Sequence, residues 1–341
     1  MPEPLLEVKD LRVHFPTEDG VVKAVDGLNF SIAAGETLGV VGESGSGKSV
    51  SFLTVMGLIN RKSAIVEGEV LFQGQDLLKL DNDELQDIRG SKIAMIFQDP
   101  MTSLHPFYKV GDQIAEAILA HEDVSKKEAH DRAIEMLRRV NIPRPDERAR
   151  QYPHEFSGGM RQRAMIAMAL SLNPDLLVAD EPTTALDVTV QAQVMDLLAD
   201  LQREYNMGLI LITHDLGVVA DVADKIAVMY AGRIVETAPV HEIYKRPAHP
   251  YTWGLLGSIP RLDRPKPKKL HSIEGTPPSL INLPQGCKFR PRCPHSFEKC
   301  FEEPELTNHV DERGHLDRCW LSVEEKRMRR VQAIAGEARV A

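Results

Sequence analysis

The sequence has no long apolar run and no excess of basic residues, and both absences exclude classes of protein. No stretch approaches the roughly 18–20 apolar residues of a membrane span. Asp and Glu number 50 against 41 Lys and Arg, so the net charge of −9 does not indicate the basic surface that a nucleic-acid-binding protein would need. Met1-Pro2-Glu3-Pro4 lacks the basic start and apolar core of a signal peptide. We therefore expect a cytoplasmic protein that acts at a membrane only through partner subunits.

Aromatic residues and cysteines are also scarce. Phe, Trp and Tyr make up 5% of the chain, and all four cysteines lie near the C-terminus. The hydrophobic fraction of 43% and the charged fraction of 27% are ordinary for a globular protein. With 341 residues, the chain is long enough for about two domains with cores of their own.

A glycine-rich stretch at residues 42–49 is the strongest motif present. Gly42-Glu43-Ser44-Gly45-Ser46-Gly47-Lys48-Ser49 matches the phosphate-binding loop pattern. An apolar run at 37–41 precedes it and a helical stretch at 50–58 follows, which is the context that the motif needs. Such a loop turns its N–H groups inward and suits polyphosphate. It predicts nucleotide binding, with Lys48 on the β- and γ-phosphates and the Ser49 hydroxyl on Mg²⁺.

Strand and helix signals alternate along the chain, which predicts an α/β fold with a mainly parallel sheet. Residues 6–15, 27–32 and 66–74 suggest antiparallel strands. Further strands are expected at 93–97, 176–179, 209–212, 226–230 and 233–236, and helices at 81–89, 110–140, 159–170 and 188–205. A Pro/Lys-rich stretch at 261–269 is typical of a linker.

Two carboxylates end the apolar run at 176–179. A buried strand delivers residues at its carboxyl end to the ligand crevice of an α/β sheet. We expect Asp180 to hold Mg²⁺ through water and Glu181 to orient or deprotonate the attacking water. Taken alone, the pair is also compatible with an ordinary strand end.

A second anion-binding turn, Ser157-Gly158-Gly159, precedes the helix predicted at 159–170. Because one nucleotide does not need two such cradles, the turn suggests a nucleotide held by another subunit. The alternative is that Ser157 simply caps the helix.

Together these motifs resemble the nucleotide-binding subunit of ABC transporters over roughly residues 5–260. Phe156 and Met160 depart from the LSGGQ signature of the general family, but the peptide branch commonly carries Met there. The strings at 96–104, 183–193 and 249–252 are similar to the D-type ATPase subunit of bacterial dipeptide/oligopeptide (peptide/nickel) permeases. The shared set is Gly42–Ser49, Gln98, Ser157-Gly158-Gly159, Asp180-Glu181, Asp187 and His214.

The resemblance implies an α/β P-loop NTPase fold with a RecA-like parallel core, an antiparallel β subdomain and a helical subdomain at about 100–172. The nucleotide-binding domain would span 1–260, followed by a linker at 261–285 and a small cysteine-bearing domain at 286–341.

It also implies an antiparallel dimer with a paralogous ATPase subunit and two ATP molecules at the interface. Gln98 would contact Mg²⁺ and the attacking water, and His214 the γ-phosphate; the alternative for His214 is a buried structural role. Asp187 would reach toward the partner's loop. Phe15 is the candidate for stacking on adenine, with a core position as the alternative. The implied ATP contacts also include Ser44, Gly45, Ser46, Gly47, Asp180, Ser157, Gly158 and Gly159.

The loop at 99–110 would touch two transmembrane permease subunits, which in turn meet a solute-binding protein. Such a subunit lies peripherally on the cytoplasmic face of the bacterial inner membrane. No nucleic-acid partner is expected.

The cysteines Cys287, Cys293, Cys300 and Cys319 are spaced C-x5-C-x6-C-x18-C. Disulfides are disfavoured in a reducing cytoplasm, and four thiolates suit zinc or an iron–sulfur cluster. The tail resembles the C-terminal region of peptide-permease ATPases, which favours a [4Fe–4S] cluster. Zinc and unligated packing thiols are the alternatives.

The predicted function is ATP hydrolysis that powers import of di- or oligopeptides. A nickel, glutathione or antibiotic-peptide importer would use a very similar subunit. A chromosome-associated or repair ATPase is disfavoured, because no sustained heptads separate Lys48 from Ser157 and the chain is acidic. Glu181 and His214 argue against a non-hydrolysing regulatory subunit.

Overall fold

A computed structural model describes residues 3–184, 186–259, 273–308 and 314–335 of the chain. The linker predicted at 261–269 lies outside these residues. Within them the strands are β1 Leu6–Thr17, β2 Gly20–Ile32, β3 Thr37–Val41, β4 Ile65–Phe72, β5 Gln75–Asp76, β6 Ile93–Ile96, β7 Leu176–Asp180, β8 Gly208–Thr213, β9 Lys225–Tyr230, β10 Arg233–Pro239 and β11 Leu316–Asp317.

The α-helices of the described residues include several short ones between the strands. They are α1 Lys48–Val55, α2 Asn82–Ile88, α3 Pro100–Ser103, α4 Val110–Leu119, α5 Lys126–Arg139, α6 Pro145–Arg148, α7 Gly158–Ala169, α8 Val188–Tyr205, α9 Leu216–Val219, α10 Val240–Lys245, α11 Pro250–Gly257 and α12 Val323–Ala335. None of these helices combines the length and apolar character that crossing a membrane requires.

The chain forms two compact units, each built from separate stretches of sequence. Of the described residues, the first unit contains 3–6, 31–37, 71–184 and 186–212, and the second contains 7–30, 38–70, 213–259, 273–308 and 314–335.

The first unit is centred on parallel strands. β7 lies between β6 and β8, with Leu176 opposite both Ile93 and Gly208. All residues of these strands are buried, because apolar side chains cover both faces, as is usual in parallel sheets. The buried strands predicted at 176–179 and 209–212 are confirmed, and the one predicted at 93–97 is confirmed except at Phe97, which follows the end of β6 and is exposed.

Helices α4, α5 and α7 pack against one another in the first unit. The single helical stretch predicted at 110–140 is wrong in one respect, because α4 and α5 are separate helices. Ser125 accepts a hydrogen bond from the Glu128 N–H and starts α5 anew, as a serine N-cap does. Ala129 and Ala133 are fully buried at a spacing of four, which gives α5 its packing face.

The second unit contains strands of two sheets. β2, β1 and β4 lie side by side in that order, and β2 begins at Gly20, seven residues before the predicted start. β-branched Val21, Val22 and Val25 favour the longer strand. In the other sheet, β3 runs parallel to β9, while β10 is antiparallel to both β9 and β11. Ala231 and Gly232 join β9 to β10 with φ angles of 48° and 79°, as in a tight hairpin.

Candidate nucleotide-binding and catalytic site

The phosphate loop connects β3 to α1 in the second unit, as predicted. A Cβ atom on Gly42 would lie 2.2 Å from the carbonyl oxygen of Met229. Gly47 has a φ of 98°, and its Cβ would lie 2.2 Å from the carbonyl oxygen of Ala24. Backbone packs so closely on both sides that neither position accepts a side chain. This is the physical reason for the two outer glycines of the motif.

Lys48 and Ser46 lie inside the curve of the loop. Lys48 is 5% exposed, and its Nζ donates to the carbonyl oxygens of Gly42 at 2.6 Å and Glu43 at 3.0 Å. The Ser46 hydroxyl oxygen is buried and has no hydrogen-bond partner among the described residues. Buried polar groups are nearly always paired, so this hydroxyl suits a ligand oxygen. The loop therefore fits a polyphosphate.

Glu181 lies just after β7 in the first unit and has a left-handed backbone with φ of 47°. Its N–H donates to the Ile212 carbonyl oxygen at 2.8 Å, which holds that conformation. Its Oε2 accepts hydrogen bonds from Gln98 Nε2 at 3.1 Å and from Thr184 Oγ1 at 2.9 Å. Non-glycine residues held in this region are uncommon and concentrate at functional sites. The structure thus brings two of the predicted catalytic side chains together.

Asp180 and His214 lie at the carboxyl ends of two buried strands. Asp180 is the last residue of β7 and is 6% exposed. His214 comes directly after β8 and is exposed, which disfavours the alternative of a buried structural histidine. Both residues therefore occupy the strand-end positions that the sequence predicts.

The Ser157 turn and Asp187 are neighbours in the first unit. Ser157 caps α7 by accepting from the Met160 N–H at 3.3 Å, and Asp187 caps α8 by accepting from the Val190 N–H at 3.0 Å. A Cβ on Gly159 would lie 2.8 Å from Val190 Cγ1, so the two helix starts are in contact. The capping interpretation of Ser157 is therefore correct, and any role toward a second nucleotide stays a prediction.

Phe15 lies on β1 and is only partly buried. It is therefore not one of the fully buried core positions of the second unit. Its stacking on adenine stays a prediction.

The four cysteines are free thiols that line one cavity of the second unit, together with His249, Phe289 and Trp320. Burial raises the pKa of Cys287 to about 11 and that of Cys293 to about 12. As placed in the described residues, no group of three or more His, Cys, Asp or Glu side chains could hold a metal ion. The expectation of an iron–sulfur cluster is therefore not supported by this geometry.

Sequence reasoning missed the surroundings of Glu43. Its carboxylate forms a two-point ion pair with Arg292, and its N–H donates to the Tyr251 hydroxyl at 2.9 Å. The motif string at 249–252 contains Tyr251, but nothing in its spacing from residue 43 indicates the contact. The presence of Glu43 in an anion-binding loop could have indicated a nearby cation, because a cation stabilises the charged form of a carboxylate in that position.

The fold and the loop define a phosphate-loop ATPase built on an α/β sheet. The chain belongs to the ABC transporter family, which matches residues 25–184, and residues 235–300 match the oligopeptide/dipeptide transporter C-terminal region. The family expected from the motifs is confirmed.

Curated relatives match almost the whole chain. The oligopeptide transport ATP-binding protein OppD of Bacillus subtilis is 54% identical over 319 residues, which cover 93% of this chain and 88% of the relative. OppD of Escherichia coli K12 is 53% identical, with 94% of each chain covered. The dipeptide transport ATP-binding protein DppD of Bacillus subtilis is 52% identical, with 94% of this chain and 96% of the relative covered.

Solved structures agree on the fold of the larger part of the chain. The dimeric ATP-binding cassette MJ0796, in a post-hydrolysis state bound to ADP and Pi, superposes with a TM-score of 0.63 at 29% identity. The match covers 69% of this chain and 98% of that one. For cbiO1 of Clostridium perfringens, part of the ABC transporter complex cbiONQ, the TM-score is 0.62 at 27% identity. The match covers 72% of this chain and 92% of that one.

Proposed function

We propose that this ABC ATPase powers the import of di- or oligopeptides across the bacterial inner membrane from its cytoplasmic face. One observation carries the proposal: the similarity to oligopeptide and dipeptide transport ATP-binding proteins runs through nearly the whole length of both chains. It includes the C-terminal region, where the family match at 235–300 is that of oligopeptide/dipeptide transporters.

We assign the chemistry as follows. The phosphate loop binds the ATP phosphates through its N–H groups and Lys48, whereas Ser49, Gln98 and Asp180 hold Mg²⁺. Glu181 orients and deprotonates the attacking water, and His214 contacts the γ-phosphate. Phe15 stacks on adenine. The hydrogen bond between Gln98 and Glu181, the left-handed backbone of Glu181 and the unpaired Ser46 hydroxyl support this assignment.

The chain acts in a pair with a paralogous ATPase subunit. In this pair, the phosphate loop of each subunit faces the turn of the other subunit that corresponds to Ser157-Gly158-Gly159. Val188 supports this arrangement, because it directly follows Asp187 and is 83% exposed, unusual for an apolar side chain. ATP bound from both sides closes the pair, and hydrolysis releases it.

The segment after Gln98 meets the transmembrane subunits. Met101, Phe107 and Tyr108 are large side chains with 47%, 80% and 57% exposure on this short segment. Exposed apolar groups at such density are typical of a protein-contact surface. Closure of the ATPase pair would move this surface and, with it, the pore formed by the transmembrane subunits. A solute-binding protein outside the membrane would select the peptide.

The resemblance of the tail to peptide-permease ATPases, and not the described positions of the thiols, leads us to propose that the four cysteines hold a [4Fe–4S] cluster, with zinc as the alternative; in the described residues these positions form no metal site. The four thiols line one cavity and form no disulfides, and four thiolates are ligands that suit either group. Iron and acid-labile sulfide should be measured on anaerobically purified protein and on Cys300→Ser. Absence of both elements from the unaltered chain would exclude the cluster, and stoichiometric zinc would select the alternative.

The transport function is tested by reconstituting the chain with its partner ATPase, membrane subunits and binding protein in vesicles. The expected result is MgATP-dependent accumulation of a labelled tri- to pentapeptide that is lost in Glu181→Gln. Nickel, glutathione and an unrelated sugar serve as competing solutes. Uptake of nickel or glutathione but not of peptide would contradict the proposal.

A further inference from the structure

Arg292 of the C-terminal region holds an acid of the phosphate loop. Its Nη1 lies 2.6 Å from Glu43 Oε2 and its Nη2 lies 3.0 Å from Oε1, a parallel two-bond pair. The side chain of Arg292 is 4% exposed and that of Glu43 is 29% exposed. Paired in this way, the charges are screened little by solvent, and the geometry is specific to arginine.

The guanidinium is fixed on its other sides as well. Its Nε donates to the Glu274 carbonyl oxygen at 3.1 Å and its Nη2 to the Ile273 carbonyl oxygen at 3.3 Å. It also lies 5.8 Å from the ring centroid of Tyr230, which is buried and packs against Tyr251 at 4.7 Å between centroids. Arg292 is therefore a rigid anchor.

Glu43 is in turn a fixed point of the loop. Its carbonyl oxygen accepts from Lys48 Nζ at 3.0 Å and from the Ser46 N–H at 3.2 Å, while its own N–H donates to Tyr251. The backbone of Glu43 thus sets the curve inside which the Lys48 ammonium and the Ser46 hydroxyl lie. Through Glu43, the position of Arg292 affects the groups that would meet phosphate.

The C-terminal region also lies beside the loop through a second segment. Pro277, Pro278 and Leu280 line a small pocket together with Ser44 and Gly45. The Leu280 carbonyl oxygen accepts from the Lys23 N–H at 3.0 Å, which fixes that segment. Two separate contacts therefore join this region to the phosphate loop.

We propose that Arg292 is a positioning residue for ATP, which neutralises the Glu43 carboxylate and fixes the curve of the phosphate loop. This rests on the proposed function, in which ATP occupies the loop. Without the guanidinium, a carboxylate would remain unpaired in a loop that must bind a polyanion, and repulsion between these like charges should weaken ATP binding about tenfold.

The test compares full-length variants in the assembled transporter, with KM for MgATP, kcat and thermal unfolding measured on each. Arg292→Met should raise KM about tenfold with a smaller change in kcat. Arg290→Met is the matched control, because Arg290 belongs to the same 3₁₀ turn, Arg290–Arg292, but its guanidinium lies over the Phe301 ring, 3.7 Å from the centroid. Its KM should stay within about twofold of the unaltered chain.

The double variant Arg292→Met with Glu43→Gln separates charge from mere loss of structure. Removing the carboxylate should return most of the lost affinity, whereas a general defect in the C-terminal region would persist. An unchanged KM in Arg292→Met, or no recovery in the double variant, would overturn the inference. Failure of the unaltered chain to bind ATP at all would instead overturn the proposed function.

Discussion

Gln98 and Glu181 share a hydrogen bond of 3.1 Å although 83 residues separate them in sequence. β6 ends at Ile96 and β7 ends at Asp180, and these strands are parallel neighbours, so the residues that follow them emerge side by side. Because carboxyl ends of parallel strands share one edge of a sheet, this pairing follows from topology. The hydrogen bond from the Gln98 amide therefore fixes the orientation of the Glu181 carboxylate, the group that we propose acts on the attacking water.

Glu181→Gln should abolish turnover while leaving ATP binding intact. The amide keeps the hydrogen-bonding shape but cannot accept a proton, so kcat should fall about a hundredfold or more. Phosphate release and the amount of retained ATP are the quantities to measure in the assembled complex. Glu147→Gln, at an exposed surface pair with Arg144, is the control and should hydrolyse ATP normally. Turnover like that of the unaltered chain in Glu181→Gln would remove the role given to Glu181.

Ser157→Ala separates helix capping from a role at a partner's nucleotide. Loss of the cap on α7 should lower the free energy of unfolding by only about 1 kcal/mol. If Ser157 also faces ATP bound by the partner subunit, ATPase activity of the pair should fall much more than this stability loss explains. Urea unfolding and phosphate release, measured on the same preparation, distinguish the capping role from a role at the partner's nucleotide. Activity that falls only in step with stability would leave Ser157 as a cap alone.

Gly47→Ala should destabilise the second unit more than Gly45→Ala. Both residues have positive φ, but a Cβ at Gly47 meets the Ala24 carbonyl oxygen, whereas one at Gly45 has no described atom within 4 Å. Gly45→Ala should therefore lose about 1 kcal/mol from backbone strain alone, and Gly47→Ala about 2 kcal/mol or more. Thermal unfolding without nucleotide compares the two, and equal losses would show that the close approach to Ala24 is not rigid.

The buried carboxylate of Glu236 predicts a pH-dependent contribution to stability. It accepts from the N–H groups of Ala248 at 2.6 Å and His249 at 2.9 Å, and lies 2.8 Å from His315 Nε2. Burial alone would raise its pKa, but the hydrogen bond and charge of His315, with the backbone donor, hold the pKa below the ordinary 4.5. A lowered acid pKa stabilises the fold above about pH 4.5, and this contribution is lost as the pH falls through the folded-state pKa.

Glu236→Gln should accordingly cost about 3 kcal/mol near pH 7, because the buried donors lose their anion. The difference in free energy of unfolding between this variant and the unaltered chain should shrink as the pH falls below 4.5. Urea unfolding from pH 7 to pH 3.5 measures it. A difference that stays constant over this range would show that Glu236 carries no charge in the folded chain.

Much of the fold was predictable because its signals are local. The loop at 42–49 carries its glycines, lysine and serine in one stretch, and the buried strands β6, β7 and β8 are short continuous apolar runs. The start of β2 and the break between α4 and α5 were less accessible. The break depends on a single residue, the capping Ser125, which interrupts a longer helical pattern, and β2 begins in a stretch that also carries turn residues.

The Arg292–Glu43 pair could not be predicted from the sequence, since 249 positions separate its members. The same holds for His315 and Glu236: Glu236 lies on β10, and His315 directly precedes β11, which pairs with β10 only in the fold. For the cysteines, the sequence led to the expectation of a [4Fe–4S] cluster, which the geometry does not support, whereas the structure shows that the four thiols line one cavity. The position of each Sγ depends on the loops between them, which no periodic pattern specifies.

The central claim is that this chain supplies part of each of two nucleotide pockets that a partner must complete. Phosphate release should be measured for the isolated chain, kept monomeric as verified by sedimentation, and again after titration with the paralogous subunit. The account predicts negligible hydrolysis by the monomer and a rise that saturates at one partner per chain. Full-speed hydrolysis by the monomer at every ATP concentration, unaffected by the partner, would contradict it.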